Sequence, residues 1–342
     1  MTADSSSPHR RRPRYSGSHP RNFEDKYKER DPERYPETVA RILSSGKTPA
    51  GMHVSIMVRE ILEMLDPKPG QIVVDCTLGY GGHAKELLAK IRPGGRLIGL
   101  DVDPIEQPRT EQRLRELGFD PEQFIARRSN FAGLPKVLAE EGLAGADCIL
   151  ADLGVSSMQL DTPSRGFSVK TAGPLDMRMN PNKGQPASVW IERLKRDELE
   201  ELLEENADEP HASRLAEQLT GKKFNLTIDL ANAVRSILSN LSDEQQNLST
   251  RRVFQALRIA VNEEFTALDT LLRNLPECLN PGGRAAVLTF HSGEDRRVKK
   301  SFQAALRAGR YSCIADEVTR PSAQECRANP RATSAKLRWA QR

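Results

Sequence analysis

A glycine-rich turn between two short apolar segments places the strongest constraint on how this chain can fold. The segment from Gln71 to Asp103 reads QIVVDCTLGYGGHAKELLAKIRPGGRLIGLDVD. Its apolar, β-branched run Ile72 to Val74 predicts a strand that is buried on both faces. The apolar residues from Ala84 to Ile91 have helical spacing, and Arg96 to Leu100 predicts a second strand, which ends at Asp101. A strand, a glycine turn, a helix and a second strand, in this order, are typical of a parallel sheet.

The glycine turn and two aspartates indicate which cofactor such a sheet would bind. Gly79, Gly81 and Gly82 let the backbone turn tightly and pass close to a ligand, and Asp101 can accept hydrogen bonds from ribose hydroxyls. The turn reads G-x-G-G, however, whereas the dinucleotide fingerprint is G-x-G-x-x-G. Asp75 also places a negative charge beside the turn, which would repel a pyrophosphate and attract a sulfonium and an ammonium group. The sequence therefore favours S-adenosylmethionine over NAD.

The composition excludes several classes of protein. Hydrophobic residues make up 37% of the 342 residues and charged residues 29%, as in ordinary globular proteins. No apolar run approaches the ~20 residues of a membrane helix, and the N-terminal stretch lacks the apolar segment of a secretory signal. The five cysteines are scattered without a C-x-x-C pair, and no two histidines have the i, i+4 spacing of metal ligands. We therefore expect a cytoplasmic protein without a metal and without membrane association.

Basic residues are concentrated at the two ends of the chain. Residues 1–21 contain five arginines and one aspartate, and residues 319–342 contain six basic residues and one glutamate. The part between them has more acidic than basic residues. Two basic ends on an acidic body predict contact with a polyanion.

Strands and helices continue to alternate after Asp103. Strands are predicted at Phe124 to Ala126, at Asp147 to Leu150 and, after a turn at residues 281–283, at Ala285 to Phe290. This alternation predicts an α/β fold with a doubly wound, Rossmann-like sheet. Helices are predicted on the way between the strands, among them one near Thr110 to Leu117.

The alternation breaks for about a hundred residues before the last predicted strand. Helical patterns replace it at residues 186–205, 211–220, 227–238 and 252–275. We expect a helical subdomain inserted at the edge of the sheet where ligands bind. The predicted organisation is a disordered basic extension at residues 1–50, a methyltransferase domain at 51–160 and 251–342, and a substrate-recognition subdomain at 161–250.

Polar side chains follow two of the predicted strands where each strand ends. Asp152 follows the fourth strand, and an acceptor there could hold an exocyclic amine in line with a methyl carbon. No cysteine follows this strand, and methylation of a pyrimidine at carbon 5 needs one, so the sequence favours methylation of an amine or a hydroxyl. His291 and Ser292 follow the last predicted strand. Ser292, with Glu294 and Asp295 after it, also predicts a capped helix N-terminus.

Longer motifs resemble a known family. They are DCTLGYGGH, LDVDP, DLGVSSMQLD, RGFS, GPLDMRM, FQALRIAVNEE, LNPGGRAAVLTFHSGEDRRVK and NPRATSAKLR, spread over residues 53–342. The chain resembles the RsmH/MraW family of bacterial methyltransferases, which act on the N4 amine of a cytosine (position 1402) in the decoding region of 16S ribosomal RNA. The resemblance implies a class I methyltransferase fold, S-adenosylmethionine as the cofactor, and the small ribosomal subunit as the partner.

The resemblance also implies roles for particular residues. It places cofactor contacts at Gly81, Gly82, His83, Asp101, Phe131, Asp152 and Gln159. Asp101 would hold the ribose, Phe131 would lie near the adenine, and Asp152 is the candidate acceptor for the amine. Further candidates for the site are Asp75, Gly79, His291 and Ser292.

The chain departs from the family pattern at several positions. The residue after the serine of the FHS motif is usually leucine and here is Gly293, and a usual Gly-Glu-Glu-Arg stretch reads ADEP at residues 207–210. Both positions concern substrate handling more than the cofactor. The segment DVDPIEQP replaces an alanine-rich helix start, so we expect the next helix to begin later. The basic N-terminal extension is not expected as a family feature.

Two other functions remain open on the sequence alone. An NAD-dependent oxidoreductase would use the same kind of sheet, although the G-x-G-G turn and Asp75 count against it. A non-catalytic RNA-binding or ribosome-assembly factor would need neither the glycine turn nor Asp152. A monomer and a homodimer are both compatible with the sequence.

Overall fold

The computed structural model describes residues 55–342, whose strands form one sheet. The strands are β1 (Ile72–Asp75), β2 (Arg96–Asp101), β3 (Phe124–Arg128), β4 (Ala146–Asp152), β5 (Leu279–Thr289), β6 (Cys313–Ile314) and β7 (Lys336–Gln341). Their order across the sheet is β3-β2-β1-β4-β5-β7-β6. β1 to β5 are parallel, whereas β7 is antiparallel to both β5 and β6. The predicted doubly wound α/β sheet is confirmed, and the basic extension predicted at residues 1–50 lies outside the described residues.

Helices connect these strands. Those that precede the fourth strand are α1 (Val58–Leu65), α2 (Gly82–Ile91), α3 (Glu106–Glu116) and α4 (Leu134–Glu140). Those between β4 and β5 are α5 (Ser157–Asp161), α6 (Ala187–Arg193), α7 (Arg196–Ala207), α8 (Ala212–Leu219), α9 (Thr227–Ile237), α10 (Asp243–Val261) and α11 (Glu264–Cys278). Those after β5 are α12 (Ser292–Arg307) and α13 (Ala323–Ala328).

The apolar run that predicted β1 has a residue on each face of the sheet. Val73 packs with Leu87 and Leu97 on one face, and Val74 packs with Leu268 and Leu271 on the other. Both valines are fully buried. Alternation of side chains along a strand explains this arrangement, and burial on both faces explains why the run has no polar residue.

The helices from α6 to α10 form a hydrophobic core of their own. Leu199 and Leu203 of α7, Leu215 of α8, Leu230 of α9 and Leu257 of α10 are all fully buried in it. This core is distinct from the two apolar layers that cover the sheet. A second core between β4 and β5 is what an inserted helical subdomain requires, although its bounds at residues 161–250 stay a prediction.

The single helix predicted at residues 252–275 is interrupted. α10 ends at Val261 and α11 begins at Glu264, and Glu263 between them has a left-handed φ of 51°. The Asn262 side chain supports the break, because it accepts from the Met179 N–H (2.7 Å) and donates to the Met177 carbonyl (2.8 Å). The apolar periodicity continues through the break, which is why the sequence did not reveal it.

Three other predicted bounds were wrong. α3 begins at Glu106 and not later, because the Asp103 carboxylate accepts from the backbone N–H groups of Ile105 and Glu106. The helix predicted at residues 186–205 is two helices, separated at residues 194–195. β5 begins at Leu279, so the turn predicted at residues 281–283 lies within the strand.

Candidate functional site

A cavity of about 390 Å³ lies at the carboxyl ends of β1, β2 and β4. Ligand pockets in proteins are commonly about 300–1,000 Å³. The residues with predicted cofactor contacts all line it: Gly81, Gly82, His83, Asp101, Phe131, Asp152 and Gln159. Gly79 lines the cavity as well, whereas Asp75, His291 and Ser292 are not part of its lining. The carboxyl edge of a parallel sheet is the expected place for a ligand.

The glycines of the turn are required by different neighbours. Gly79 and Gly81 have positive φ angles of 47° and 85°, which favour glycine. A Cβ on Gly81 would lie 2.8 Å from Thr110 Cγ2, and a Cβ on Gly82 would lie 2.0 Å from Ser55 Oγ. Neighbouring protein atoms therefore leave no room for a side chain at Gly81 or Gly82. The sequence predicted a different reason, namely the close approach of a ligand to the backbone.

Asp101 holds the glycine turn against the end of β2. Its Oδ2 accepts from the Gly79 N–H (2.9 Å), and its Oδ1 accepts from the Asp103 N–H (2.8 Å). Burial raises the pKa of Asp101 to about 6, although these two N–H groups oppose the shift. Each carboxylate oxygen has two lone pairs, so Asp101 can accept ribose hydroxyls while it keeps both backbone contacts.

Gln159 supports the cavity wall from α5. Its Nε2 donates to Asp103 Oδ2 (3.1 Å), and its Oε1 accepts from the Ser156 N–H (3.1 Å) in a capping box. Asp103 is 1% exposed and also accepts from Arg165 Nη1 (2.7 Å). Arg165 in turn donates to the carbonyl of Met179. Hydrogen bonds therefore connect four of the motifs named above: LDVDP, DLGVSSMQLD, RGFS and GPLDMRM. Both ends of the Gln159 amide are engaged in this network, which favours a supporting role over direct cofactor contact.

Asp75, His83 and Asp152 form a cluster beside the glycine turn, in which Asp75 and His83 are buried and the side chain of Asp152 is 27% exposed. Asp75 is 1% exposed, and its Oδ1 accepts from the Thr77 N–H (3.0 Å). Thr77 Oγ1 accepts from the Asp152 N–H (2.7 Å), which connects β1 to β4. The imidazole Nε2 of His83 lies 3.3 Å from Asp152 Oδ2. Among residues 55–342, the buried atoms His83 Nδ1, His83 Nε2 and Asp152 Oδ1 have no hydrogen-bond partner, so the contact between His83 and Asp152 is a proximity of charges and not a formed hydrogen bond.

The charges of this cluster shift its pKa values. Burial raises the pKa of Asp75 to about 6, against the opposing charge of His83. For His83, burial acts to lower the pKa, but the contact with Asp152 and the charges of Asp152, Asp75 and Glu325 outweigh it. The pKa of His83 is therefore raised above its ordinary value of 6.5. A negative cluster of this kind attracts a cationic ligand.

The break between α10 and α11 supplies a part of the cavity wall that the sequence analysis did not single out. Arg258, Asn262, Glu264 and Phe265 line the cavity. Arg258 donates through Nε and Nη2 to the two oxygens of Glu264, at 2.7 and 2.8 Å. The FQALRIAVNEE motif contains all of these residues except Phe265. The motif places an arginine and a glutamate six residues apart, but their pairing depends on the break between the two helices.

His291, rather than Ser292, caps α12. The His291 Nδ1 accepts from the Glu294 N–H (3.4 Å), and its Nε2 lies 3.1 Å from Glu294 Oε1. The Ser292 hydroxyl instead donates to Asp208 Oδ2 (2.7 Å). Burial acts to raise the pKa of Glu294, but the His291 contact and the charges of His291 and Arg258 lower it overall. The predicted cap at Ser292 was therefore wrong by one residue.

The chain departs from the family pattern at residues 207–210 and at residue 293, and both positions lie at the N-terminal end of α12. Arg296 donates to both oxygens of Asp208, at 2.8 and 3.0 Å. Asp208 terminates α7 of the helical core, and Ser292 and Arg296 belong to α12 beside the sheet. The altered stretch therefore provides an ionic connection between the helices of the second core and the helix that follows the site.

Much of the basic C-terminal end is part of the fold. Lys336 and Arg338 both contact the carboxylate of Asp295, at 3.0 and 2.7 Å. Arg331 contacts Asp161 at 2.8 Å. Lys336 and Arg338 lie on β7, which is placed between β5 and β6 in the sheet, and this position explains their contacts with Asp295. These three cations are engaged within the protein, and the contact of this end with a polyanion stays a prediction.

Neither a membrane-spanning helix nor a metal-binding cluster is found among the residues that the structure describes. Within residues 55–342, no helix is long and apolar enough to cross a membrane. The same residues contain no group of three or more His, Cys, Asp or Glu side chains arranged to hold a metal ion.

Comparisons with known proteins identify relatives of this chain. The chain is 49% identical to a ribosomal RNA small subunit methyltransferase H 1 of Lachnoclostridium phytofermentans, over 97% of this chain and 93% of that protein. It is 48% identical to a protein of the same name from Agathobacter rectalis, over 98% of each chain. A ribosomal RNA small subunit methyltransferase H of Thioalkalivibrio sulfidiphilus is 37% identical, over 87% of this chain and 99% of that protein.

The alignments with the first two relatives include most of the N-terminal extension. They cover too much of the chain to leave out residues 1–50. Two relatives therefore align with most of the extension, and its absence from the family pattern stays a prediction. The third relative, which is matched over nearly its whole length, covers less of this chain. The model of the MraW methylase family matches residues 50–342, and by this match and these identities the chain belongs to the MraW methylase family.

Proposed function

We propose that this chain transfers the methyl group of S-adenosylmethionine to the N4 amine of a cytosine in the decoding region of 16S ribosomal RNA. The observation that carries the proposal is Asp152. Its Oδ1 is buried at the cavity and has no hydrogen-bond partner among the described residues. A buried acceptor without a donor is costly unless a ligand supplies one. An exocyclic amine supplies such a donor, and the relatives are named as methyltransferases of the small-subunit ribosomal RNA.

The residues around the cavity fit S-adenosylmethionine. Asp101 has free lone pairs for ribose hydroxyls, and the Phe131 ring offers an apolar face to a purine. Asp75, Asp101 and Asp152 give this end of the sheet a negative charge, which suits a ligand that carries a sulfonium and an ammonium group. The same charge disfavours the pyrophosphate of NAD, so an oxidoreductase is the weaker reading.

The protein contributes to methyl transfer mainly by positioning the two reactants and by stabilising charge. S-adenosylmethionine, when bound, supplies an electrophilic methyl group. The cytosine amine is a poor nucleophile because its lone pair is delocalised into the ring. Asp152 can accept a hydrogen of that amine, which orients the lone pair and stabilises the positive charge that develops on nitrogen. The base must leave its stack to reach the cavity.

A cysteine at the cavity does not favour methylation at carbon 5. Cys76 lines the cavity, but it is 2% exposed and follows β1 directly. Burial, together with the charge of Asp75, raises the pKa of the Cys76 thiol well above its ordinary value. The thiolate is the form that adds to a pyrimidine ring, and Cys76 is therefore poorly suited to that step.

We assign substrate recognition to the helical subdomain at residues 161–250, inserted into a methyltransferase domain at 51–160 and 251–342. Met179, in the loop before α6, lines the cavity, so this segment is close enough to contact a base that enters it. The arginines of residues 1–21 would add contacts to RNA phosphates. The partner is the small ribosomal subunit, and a ribosomal substrate places this activity in the cytoplasm.

Two experiments test the proposed function: one measures which cofactor binds, and the other identifies the methylated product. Thermal denaturation with S-adenosylhomocysteine and with NAD measures cofactor choice, since a ligand at 100 times its Kd stabilises by about 2.7 kcal/mol. Mass mapping of 16S nucleosides, with and without the gene, then locates the methyl group. We expect stabilisation only by S-adenosylhomocysteine and loss of one N4-methylated cytosine. Binding without any change in the nucleosides would favour a non-catalytic assembly factor.

A further inference from the structure

We propose that His83 takes up, through Asp152, the proton that the cytosine amine loses during methyl transfer. The inference rests on the proposed function and assigns a positioning and proton-holding role to a residue that is otherwise only a cofactor contact. It stands on the geometry of the cluster formed by Asp75, His83 and Asp152.

The contacts of His83 provide the route. Its Nε2 lies 3.3 Å from Asp152 Oδ2, while Asp152 Oδ1 is the buried, unpartnered oxygen at the cavity. One carboxylate can therefore contact the amine with one oxygen and the imidazole with the other. His83 is 7% exposed, so it does not exchange protons freely with solvent. A carboxylate between a substrate proton and an imidazole is an effective proton relay.

The charged groups around His83 come from several elements. Asp152 ends β4, Asp75 ends β1, and Glu325 lies on α13; each of them favours the protonated imidazole. Asp101, which ends β2, acts on the cluster through Asp75. A cationic ligand nearby acts in the opposite direction, because it favours the neutral imidazole. The ligand charge is thus the variable that decides whether His83 holds a proton.

The proton balance follows from the loss of that charge. During the reaction the N4 lone pair bonds to the methyl carbon, and the carbon–sulfur bond breaks with its electron pair left on sulfur. N4 then has one proton too many; Asp152 accepts it, and the proton passes from the carboxyl group to the lone pair of His83 Nε2. Since the sulfonium charge disappears in the same event, the imidazole regains its affinity for a proton at that moment. His83 thereby keeps Asp152 ionised and the methylated amine neutral.

The inference predicts a difference between cofactor and product that can be measured without turnover. Calorimetry in buffers of different ionisation enthalpy counts the protons released on binding. S-adenosylmethionine should release more protons than S-adenosylhomocysteine near neutral pH, and the difference should shrink as the pH rises and the imidazole becomes neutral before binding. Asp101 contributes equally to both ligands because both carry the ribose, so the difference isolates the sulfonium.

Substitutions locate the proton. His83→Asn should abolish the difference, and His211→Asn, which alters a histidine of the helical core remote from the cavity, should preserve it. If His83→Asn fails to fold, the imidazole resonances of the unsubstituted protein report the same event: His83 should be neutral with S-adenosylmethionine and protonated with S-adenosylhomocysteine. Equal proton release for the two ligands, or a difference that persists in His83→Asn, would overturn the inference. Failure to bind either ligand would instead overturn the proposed function.

Discussion

The ring of Phe265 occupies the space that a side chain on residue 293 would need. A Cβ placed on Gly293 would lie 2.7 Å from Phe265 Cζ, well inside van der Waals contact. The ring centroids of Phe265 and His291 lie 5.8 Å apart with the rings tilted by 48°, and the Arg297 guanidinium lies 4.2 Å from the centre of the Phe265 ring. The departure from leucine at residue 293 is therefore a matter of internal packing next to the cavity wall.

This relationship predicts coupled effects of two substitutions. Gly293→Leu should lower the free energy of unfolding by about 1–3 kcal/mol, because the added side chain overpacks a buried site. Phe265→Leu in the same chain should restore part of the stability, since the shorter side chain vacates the space. Urea denaturation of both single variants and the double variant measures the coupling, which we expect at about 0.5–3 kcal/mol. Strictly additive effects would show that residue 293 and the ring do not compete.

Neither the packing partner of Gly293 nor the break at Asn262 was readable from the sequence. The alternation of apolar runs predicted β1 to β4 and the carboxyl edge, because each of those signals is local to a few residues. Asp101 and Asp152 were found for the same reason, as each directly follows an apolar strand. Arg258 and Glu264 were missed because their pairing depends on a break that apolar spacing does not mark.

The buried pair of Glu294 and His291 predicts a pH dependence of stability. The pKa of Glu294 is lowered in the folded protein from 4.5, so its stabilising contribution is complete above about 4.5 and is lost as the pH falls through the folded value. Glu294→Gln should lower the free energy of unfolding at pH 7 by about 1.5–3 kcal/mol, the range for a charged hydrogen bond. Its unfolding free energy should also fall less steeply in acid than that of the unsubstituted protein.

Urea denaturation across acidic and neutral pH checks this expectation. Glu277→Gln is a suitable control, because Glu277 is largely exposed and lies 4.0 Å from Arg310. The control should behave like the unsubstituted protein at every pH. Parallel pH profiles for Glu294→Gln and the unsubstituted protein would contradict the role assigned to Glu294.

Asp101 should make product affinity depend on pH. Its pKa is raised to about 6 by burial, and the ionised form is the better acceptor for ribose hydroxyls. We expect the affinity for S-adenosylhomocysteine to rise with pH through about 6 and then to level. Asp101→Ala should weaken binding by about 1.5–3 kcal/mol and flatten that profile. Calorimetry measures both, and unchanged affinity in Asp101→Ala would refute the ribose assignment.

The N-terminal arginines predict a salt-dependent contribution to RNA binding. Removal of residues 1–21 should lower the affinity for 16S RNA modestly, because fewer RNA phosphates are then neutralised by the protein. The log–log salt dependence should become shallower by about 0.7–0.9 for each phosphate that the arginines neutralise in the intact chain. A full-length chain with the five arginines changed to glutamine separates charge from length and should behave like the truncation. Equal salt slopes for all three proteins would assign RNA binding to the rest of the chain.

Asp152 provides the sharpest test of the chemical step, because it is also a predicted cofactor contact. Asp152→Asn keeps one carbonyl acceptor but removes the charge that faces both His83 and the amine. We expect kcat to fall by on the order of 10²–10³, the decrease typical of removing one preorganised electrostatic interaction. A single-turnover assay on small-subunit RNA at saturating S-adenosylmethionine separates this effect from weakened binding. Asp120→Asn, at an exposed aspartate after α3, should keep the normal rate. If Asp152→Asn also reacts at a normal rate once the cofactor is saturating, Asp152 contributes to binding alone, and another group must accept the proton of the amine.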